Sequence, residues 1–176
     1  MYEELFKTAQ TDLESFARLQ RVIEILRAPG GCPWDREQTH DSLTRGMVEE
    51  AYEVVQAIEN KDRDNLIEEL GDVLLQVVMH AQIAEEEGLF TMDDVIRTVT
   101  EKMIRRHPHV FGNEHIDTSG AVLNRWEEIK NQEKAGKEWT EAYLPAAFDE
   151  AEELIGVARR RKEKKWAARK TQETAQ

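Results

Sequence analysis

Residues 49–55 read EEAYEVV and residues 68–75 read EELGDVLL, and these two stretches decide the fold. Each contains two acids three positions apart, Glu50 with Glu53 and Glu69 with Asp72. Residues at that spacing share one face of an α-helix, and the apolar residues between them place each face at the edge of a helical core. A short turn at Lys61-Asp62 allows two antiparallel helices to bring the four carboxylates together.

Helical periodicity extends outward from these stretches along most of the chain. Pro29-Gly30-Gly31 and Gly88 are expected to end helices, and CPWD at residues 32–35 is expected to form a rigid loop. Because no alternating strand pattern is present, we predict an all-α bundle. The domains are predicted as 1–143 and 144–176, the second a basic helix with a frayed end, TQETAQ. The predicted helices cover residues 13–26, 39–60, 63–87, 91–106, 119–135 and 146–169.

Charge is distributed unevenly along this sequence. The 176 residues carry a net charge of −12, which argues against a protein that coats nucleic acid or an anionic membrane. Residues 49–72 hold nine acidic and two basic side chains, whereas residues 156–176 hold eight basic and two acidic ones. A terminal basic helix is expected to be solvated or to pair with an acidic surface, and nucleic-acid binding is the less favoured alternative.

The single cysteine, Cys32, excludes an internal disulfide and a multi-cysteine zinc site within this sequence. The N-terminus lacks the pattern of a signal peptide, and no apolar stretch is long enough to span a bilayer. The expected compartment is therefore the cytoplasm.

The four paired carboxylates allow two interpretations at this point. Hard oxygen ligands in that number suit Mg²⁺ or Mn²⁺ and do not suit zinc. The alternative is an acidic face exposed to solvent on two surface helices, which is what charge runs usually form. Spacing alone favours neither interpretation.

Several motifs together resemble the MazG family of all-α nucleoside triphosphate pyrophosphohydrolases. They are CPWDREQTHDSL, EEAYEVVQAI, EELGDVLLQVVMHAQIAEEEG, RRHPHVFG and RWEEIK, and the resemblance runs from about residue 10 to residue 135. It implies Mg²⁺-dependent cleavage of a nucleoside triphosphate between the α- and β-phosphates, giving a monophosphate and pyrophosphate, with Mn²⁺ as a substitute ion. The implied metal ligands are Glu50, Glu53, Glu69 and Asp72, and Glu49 would orient water or hold a further ion.

The resemblance also implies a set of substrate-binding residues. Lys102 and Arg106 lie four positions apart and correspond to phosphate-contacting positions of the family. Trp126 and Lys130 have the same spacing, and there we expect base stacking and a phosphate contact. Trp34 is expected to border the nucleotide. Read without the resemblance, KMIRR is a basic helix terminus and Trp126 is a core residue.

The continuation from Leu144 departs from the family pattern, and one copy of the domain is expected in this sequence. Wide apolar faces on the second and third predicted helices suggest a four-helix core completed in a homodimer, with a tetramer as the alternative. Two other functions remain open. One is a non-catalytic helical module that senses nucleotides or docks a protein, and the other is a related enzyme specialised for dUTP or dCTP.

Overall fold

The computed structural model describes residues 2–137, 142 and 144–173. Every regular element among these residues is helical, which confirms the all-α prediction. A short 3₁₀ helix, Glu3–Phe6, precedes the α-helices. These are α1 Asp12–Arg27, α2 Pro33–Glu37, α3 His40–Glu59, α4 Arg63–Glu86, α5 Met92–Arg106, α6 Pro108–Phe111, α7 Ser119–Lys134 and α8 Leu144–Glu173.

Helices α3 and α4 form the hairpin that the sequence predicts. Thr39 begins α3 with a capping box, in which its hydroxyl accepts from the Ser42 amide while the Ser42 hydroxyl accepts from the Thr39 amide. Lys61 adopts a left-handed φ of 55° in the turn, and Asp62 caps α4 by accepting from the Asn65 amide. The chain therefore reverses within three residues, and α3 packs along α4.

The chain divides into two compact units. The first contains the described residues of Met1–Leu89 and Phe148–Gln176, and the second contains those of Phe90–Ala147. In the first unit α1 and α3 pack on α4, and in the second α5 packs against α6 and α7. The buried apolar residues of the first unit are Ile23, Leu43, Ala57, Val78, Met79, Ala81, Ile83 and Ala84.

Some local expectations are wrong. CPWD is not a loop, because Pro33 starts the short helix α2 with its fixed φ at the first helical position. TQETAQ is not wholly frayed, since Thr171–Glu173 continue α8, while residues 174–176 lie outside the described residues. The helical spacing of the apolar residues in α4 predicts Leu70 and Leu74 on its buried side, but they are 53% and 38% exposed.

Arg27 joins the end of α1 to α4 and to the segment around α2. Its buried guanidinium donates to both carboxylate oxygens of Glu86, with Nη2 at 2.8 Å from Oε2. Its Nη1 donates to the carbonyl oxygens of Asp35 and Gln38. This interaction holds the segment before α3 and so helps to position the hairpin. No helix in the described part of the chain is long and apolar enough to cross a membrane.

Candidate functional site

Three carboxylates from the α3–α4 hairpin converge in the first unit. One oxygen each of Glu50, Glu69 and Asp72 lies within 4.8 Å of the others. Glu50 projects from α3, and the other two project from successive turns of α4. Glu69 is buried, whereas Glu50 and Asp72 are half-buried. The i, i+3 spacing in α4 and the tight turn at residues 60–62 together account for this convergence.

The protonation of this cluster reflects burial and mutual repulsion. Burial raises the pKa of Glu50, and the negative charges of Glu53, Asp72 and Glu69 raise it further. Burial likewise raises the pKa of Glu69, followed by repulsion from Glu53 and Asp72. The ammonium of Lys162 partly offsets both shifts. Like charges held this closely favour a cation between them.

The other two acids of the EExxE motif pair with α8. Nη2 of Arg161 lies 2.9 Å from both carboxylate oxygens of Glu49, and Nε of Arg45 lies 3.8 Å from Glu49 Oε2. Nζ of Lys162 is ion-paired with Glu53 Oε1. Glu49 is buried, so Arg161 compensates a charge that is costly to leave unpaired. Two of the basic residues of α8 therefore contact the acidic hairpin.

The second unit contains the cations and the tryptophan that the sequence assigns to substrate. Arg106 is ion-paired with Glu133, with Nη2 2.6 Å from Oε2, and its guanidinium carbon lies 5.2 Å from the centre of the Trp126 ring. Lys130 lies 3.3 Å from Glu127, and Lys102 lines a shallow pocket. One face of Trp126 is therefore occupied by a cation, and Arg106 already has an acidic partner.

Trp34 and Tyr52 belong to the first unit, whereas His107 packs against Trp126 in the second. Trp34, on α2, is 63% exposed. Tyr52, which the sequence pattern favours as a core residue, is 40% exposed and faces a cleft between α3 and α8. Nδ1 of His107 donates to the Met103 carbonyl at 2.6 Å, and the His107 ring meets Trp126 edge-on with the ring centres 5.0 Å apart.

The donor set of the hairpin fits a hard divalent cation. Three carboxylates offer oxygen ligands only, which suits Mg²⁺ or Mn²⁺ better than a softer metal. Glu50, Glu69 and Asp72 are the residues that would hold it. Within the residues that the structure describes, this is the one group of three acids, histidines or cysteines close enough to share an ion.

Comparison with known proteins gives a family match to the segment that contains this hairpin. The family model for the MazG nucleotide pyrophosphohydrolase domain matches residues 38–111, a range that includes both acidic motifs. This segment of the chain belongs to the MazG family. The MazG match also includes Lys102 and Arg106, but it excludes Trp34, Trp126, Lys130 and all of α8.

Three relatives show how much of a MazG protein this chain resembles. A nucleoside triphosphate pyrophosphohydrolase/pyrophosphatase MazG of Thermotoga maritima is 57% identical over 122 residues, which are 69% of this chain and 46% of the relative. A nucleoside triphosphate pyrophosphohydrolase of Escherichia coli is 48% identical over 121 residues, 68% and 46% of the two chains. An uncharacterized protein YabN of Bacillus subtilis is 56% identical over 119 residues, 68% of this chain and 24% of the relative. The matched segment thus spans half or less of each of these relatives.

Sequence reasoning missed the residues that act from a distance. Neither Arg27 nor Arg161 and Lys162 belongs to a motif, and their partners lie 59, 112 and 109 positions away. The opposite charges of residues 49–72 and 156–176 were the available signal. That signal indicates attraction in general and does not identify the pairs.

Proposed function

We propose that this chain hydrolyses nucleoside triphosphates, ribo- or deoxyribo-, between the α- and β-phosphates, releasing a nucleoside monophosphate and pyrophosphate. The observation that carries the proposal is the convergence of Glu50, Glu69 and Asp72 within 4.8 Å inside the MazG match. Two of the relatives named above carry a name for this activity. Removal of unwanted nucleotides from the cellular pool is the role we infer.

The acidic hairpin needs a divalent cation to receive a polyanion. A bound Mg²⁺, or Mn²⁺ in its place, neutralises phosphate charge and makes a water molecule more acidic. We assign Glu50, Glu69 and Asp72, together with Glu53, to holding that ion. Glu49 is assigned to orienting the attacking water or holding a further ion, and a carboxylate of this set accepts the proton.

The remaining proposed contacts are those that the family resemblance implies. They are Lys102, Arg106 and Lys130 at the phosphates and Trp126 at the base, with Trp34 at the border of the nucleotide. Arg106 would have to exchange Glu133 for a phosphate, which is feasible because both are charged hydrogen-bond acceptors.

Phosphate release gives the direct test. Purified protein with Mg²⁺ is incubated with a panel of ribo- and deoxyribonucleoside triphosphates, and phosphate is measured before and after inorganic pyrophosphatase is added. We expect phosphate only after that addition, together with a nucleoside monophosphate. Phosphate released directly would point to a phosphatase instead.

A neighbouring glutamate provides the matched control. Glu69→Gln removes one carboxylate of the cluster, and we expect turnover to fall by at least a hundredfold. Glu68→Gln makes the same chemical change one position away, at an exposed residue, and is expected to keep wild-type turnover. Equal rates for wild type and Glu69→Gln, or no turnover of any nucleotide, would contradict the enzymatic proposal. Nucleotide binding without turnover would favour the alternative, a non-catalytic sensing or docking module.

A homodimer remains our proposal for the assembly, with a tetramer as the alternative. Several apolar side chains of the hairpin are exposed, and a second copy would cover such a surface. They include Val55, Ile58, Ile67 and Leu70. Sedimentation equilibrium gives the mass directly, and a monomer at micromolar concentration would contradict the proposal. The cytoplasm stays a prediction from the sequence.

A further inference from the structure

A cleft lies in the first unit beside the acidic hairpin. It has a volume of about 230 Å³ and is formed by α3 on one side and α8 on the other. Its walls combine an aromatic ring, an amide and aliphatic groups with two cations, Arg159 and Lys162, and three carboxylates, Glu49, Glu53 and Glu163. The ring is that of Tyr52 and the amide that of Gln56.

The position of Lys162 links the cleft to the carboxylate cluster. Lys162 lines the cleft and pairs with Glu53, which lies one helical turn from Glu50 on α3. The neighbouring Arg161 fixes the register of α8 through the buried Glu49. Lys162 is thus held at the boundary between a set of metal-binding oxygens and an open, largely apolar cavity.

This boundary has the chemistry that the phosphate end of a nucleotide requires. A triphosphate carries about four negative charges, more than one divalent cation neutralises, so an ammonium beside the ion stabilises it further. The Tyr52 ring offers a stacking surface for a base, and Gln56 offers both a hydrogen-bond donor and an acceptor. A helix that only blocked the site would fill this space, whereas here the space beside Lys162 is open.

We propose that α8 completes the substrate site: Lys162 contacts the phosphates, and the cleft between α3 and α8 takes the nucleoside. This inference rests on the proposed function and adds to it a helix that lies outside the MazG match. In the nucleotide complex Lys162 exchanges Glu53 for a phosphate oxygen, which releases Glu53 toward the ion. In this inference the base stacks against Tyr52, which replaces the Trp126 contact that the family resemblance implies.

Two probes separate the phosphate role from the nucleoside role. Isothermal titration calorimetry of the full chain with Mg²⁺ measures the Kd of α,β-methylene nucleoside triphosphates and of tripolyphosphate, which lacks a nucleoside. We expect Lys162→Met to weaken both probes about tenfold and Lys162→Arg to restore binding. Tyr52→Leu is expected to weaken the nucleotide analogues about tenfold and to leave tripolyphosphate unchanged.

Matched variants and melting curves control for general effects. Lys164→Met removes an exposed charge from the same helix outside the cleft, and Tyr2→Leu removes an exposed tyrosine outside it, so both should bind like wild type. Melting curves of all five variants, measured by circular dichroism, show whether a change in Kd comes from a loss of folded protein. A nucleotide affinity that depends on Trp126 and not on Tyr52 overturns the nucleoside assignment.

Other outcomes separate this inference from the proposed function. The inference is wrong if Lys162→Met binds both probes like wild type. It is also wrong if this variant binds Mn²⁺ more tightly and turns over faster, because α8 would then inhibit the site. If the protein hydrolyses nucleotides equally well with and without Lys162, the proposed function holds and this inference is wrong. A chain that binds the analogues through Lys162 but cleaves no nucleotide overturns the proposed function alone, and failure to bind or cleave overturns both.

Discussion

Nη2 of Arg161 lies 2.9 Å from both carboxylate oxygens of Glu49, a residue that is 7% exposed on the hairpin of the candidate site. A buried carboxylate without a partner is costly, and Arg45 approaches it only to 3.8 Å. Arg161 therefore connects the C-terminal helix to the acidic motif. The same contact fixes where the following residue, Lys162, is placed.

Removing Arg161 should destabilise the protein through Glu49. We expect Arg161→Met to lower the free energy of unfolding by about 1 to 2 kcal/mol, at the low end for a buried pair because the Arg161 side chain is half exposed. Urea denaturation measures this value. Arg160→Met, an exposed neighbour, is the control, and Glu49→Gln should make the Arg161→Met change nearly neutral. If Arg161→Met lowers the free energy of unfolding just as much in the Glu49→Gln background, the Arg161–Glu49 pair is not the cause of the destabilisation.

Removing Arg27 should have a larger effect on stability. Arg27→Met leaves the Glu86 carboxylate and the carbonyls of Asp35 and Gln38 without their donor, and we expect a loss of about 3 kcal/mol. Chemical denaturation gives the magnitude. Arg21→Met lies on the same helix in an exposed pair with Glu24, so it should cost less than about 0.5 kcal/mol. Similar losses for the two variants would contradict the anchoring role of Arg27.

A divalent cation should stabilise the metal-free protein by relieving repulsion at the hairpin. Burial and like charges raise the pKa of Glu50 and Glu69, so the ionised cluster costs stability once the pH has risen through those raised values. We expect Glu69→Gln to raise the melting temperature of the metal-free protein by about 2 to 5 °C. The same variant should lose the further increase that Mg²⁺ or Mn²⁺ gives to wild type.

Differential scanning fluorimetry with and without the ion checks both parts of this prediction. Glu68→Gln should melt like wild type in both conditions, because its side chain is exposed and outside the close set. An equal metal-induced shift in wild type and Glu69→Gln would place the ion elsewhere.

His80 should make the stability of the protein fall in mild acid. Its Nδ1 lies 2.7 Å from Nδ1 of His40, and the two rings are stacked. Burial lowers the pKa of His80 below its usual value of 6.5, and the neighbouring His40 lowers it further. Below pH 6.5 the unfolded state therefore binds more protons than the folded state, so this contribution to stability is present above that pH and is lost as the pH falls toward the lowered pKa.

Thermal melts between pH 7.5 and pH 5.5 test the effect. We expect the melting temperature of His80→Gln to depend less on pH than that of wild type over this range. His115→Gln is the control, because His115 is 89% exposed in its side chain and should leave the wild-type dependence intact. If the melting temperatures of wild type and His80→Gln change identically with pH, His80 is not the source of the acid sensitivity.

Local signals were sufficient to predict most of the helices. Thr39, Thr91 and Thr118 each cap a helix within one or two residues of a predicted start. Gly88, with a φ of 70°, follows α4 where the sequence places its end. These predictions succeed because capping and helical periodicity depend on residues only three or four positions apart.

Burial was harder to predict than helicity. The sequence pattern favours core positions for both Met79 and Tyr52. Met79 is buried, whereas Tyr52 faces the cleft beside α8. Leu70 and Leu74 follow the same periodicity as the buried Val78 but remain exposed. A helical pattern identifies an apolar face, but which part of that face is covered depends on the neighbouring helices.

The sequence by itself determined the all-α class, the two acid pairs at i, i+3 spacing and the turn that brings them together, because each depends on contacts within a few residues. Only the tertiary structure decided which carboxylates form the close set, Glu50, Glu69 and Asp72, and which pair with α8. Glu49 and Glu53 meet partners 112 and 109 positions away. The path of the chain between them determines such pairing, and no local pattern records that path.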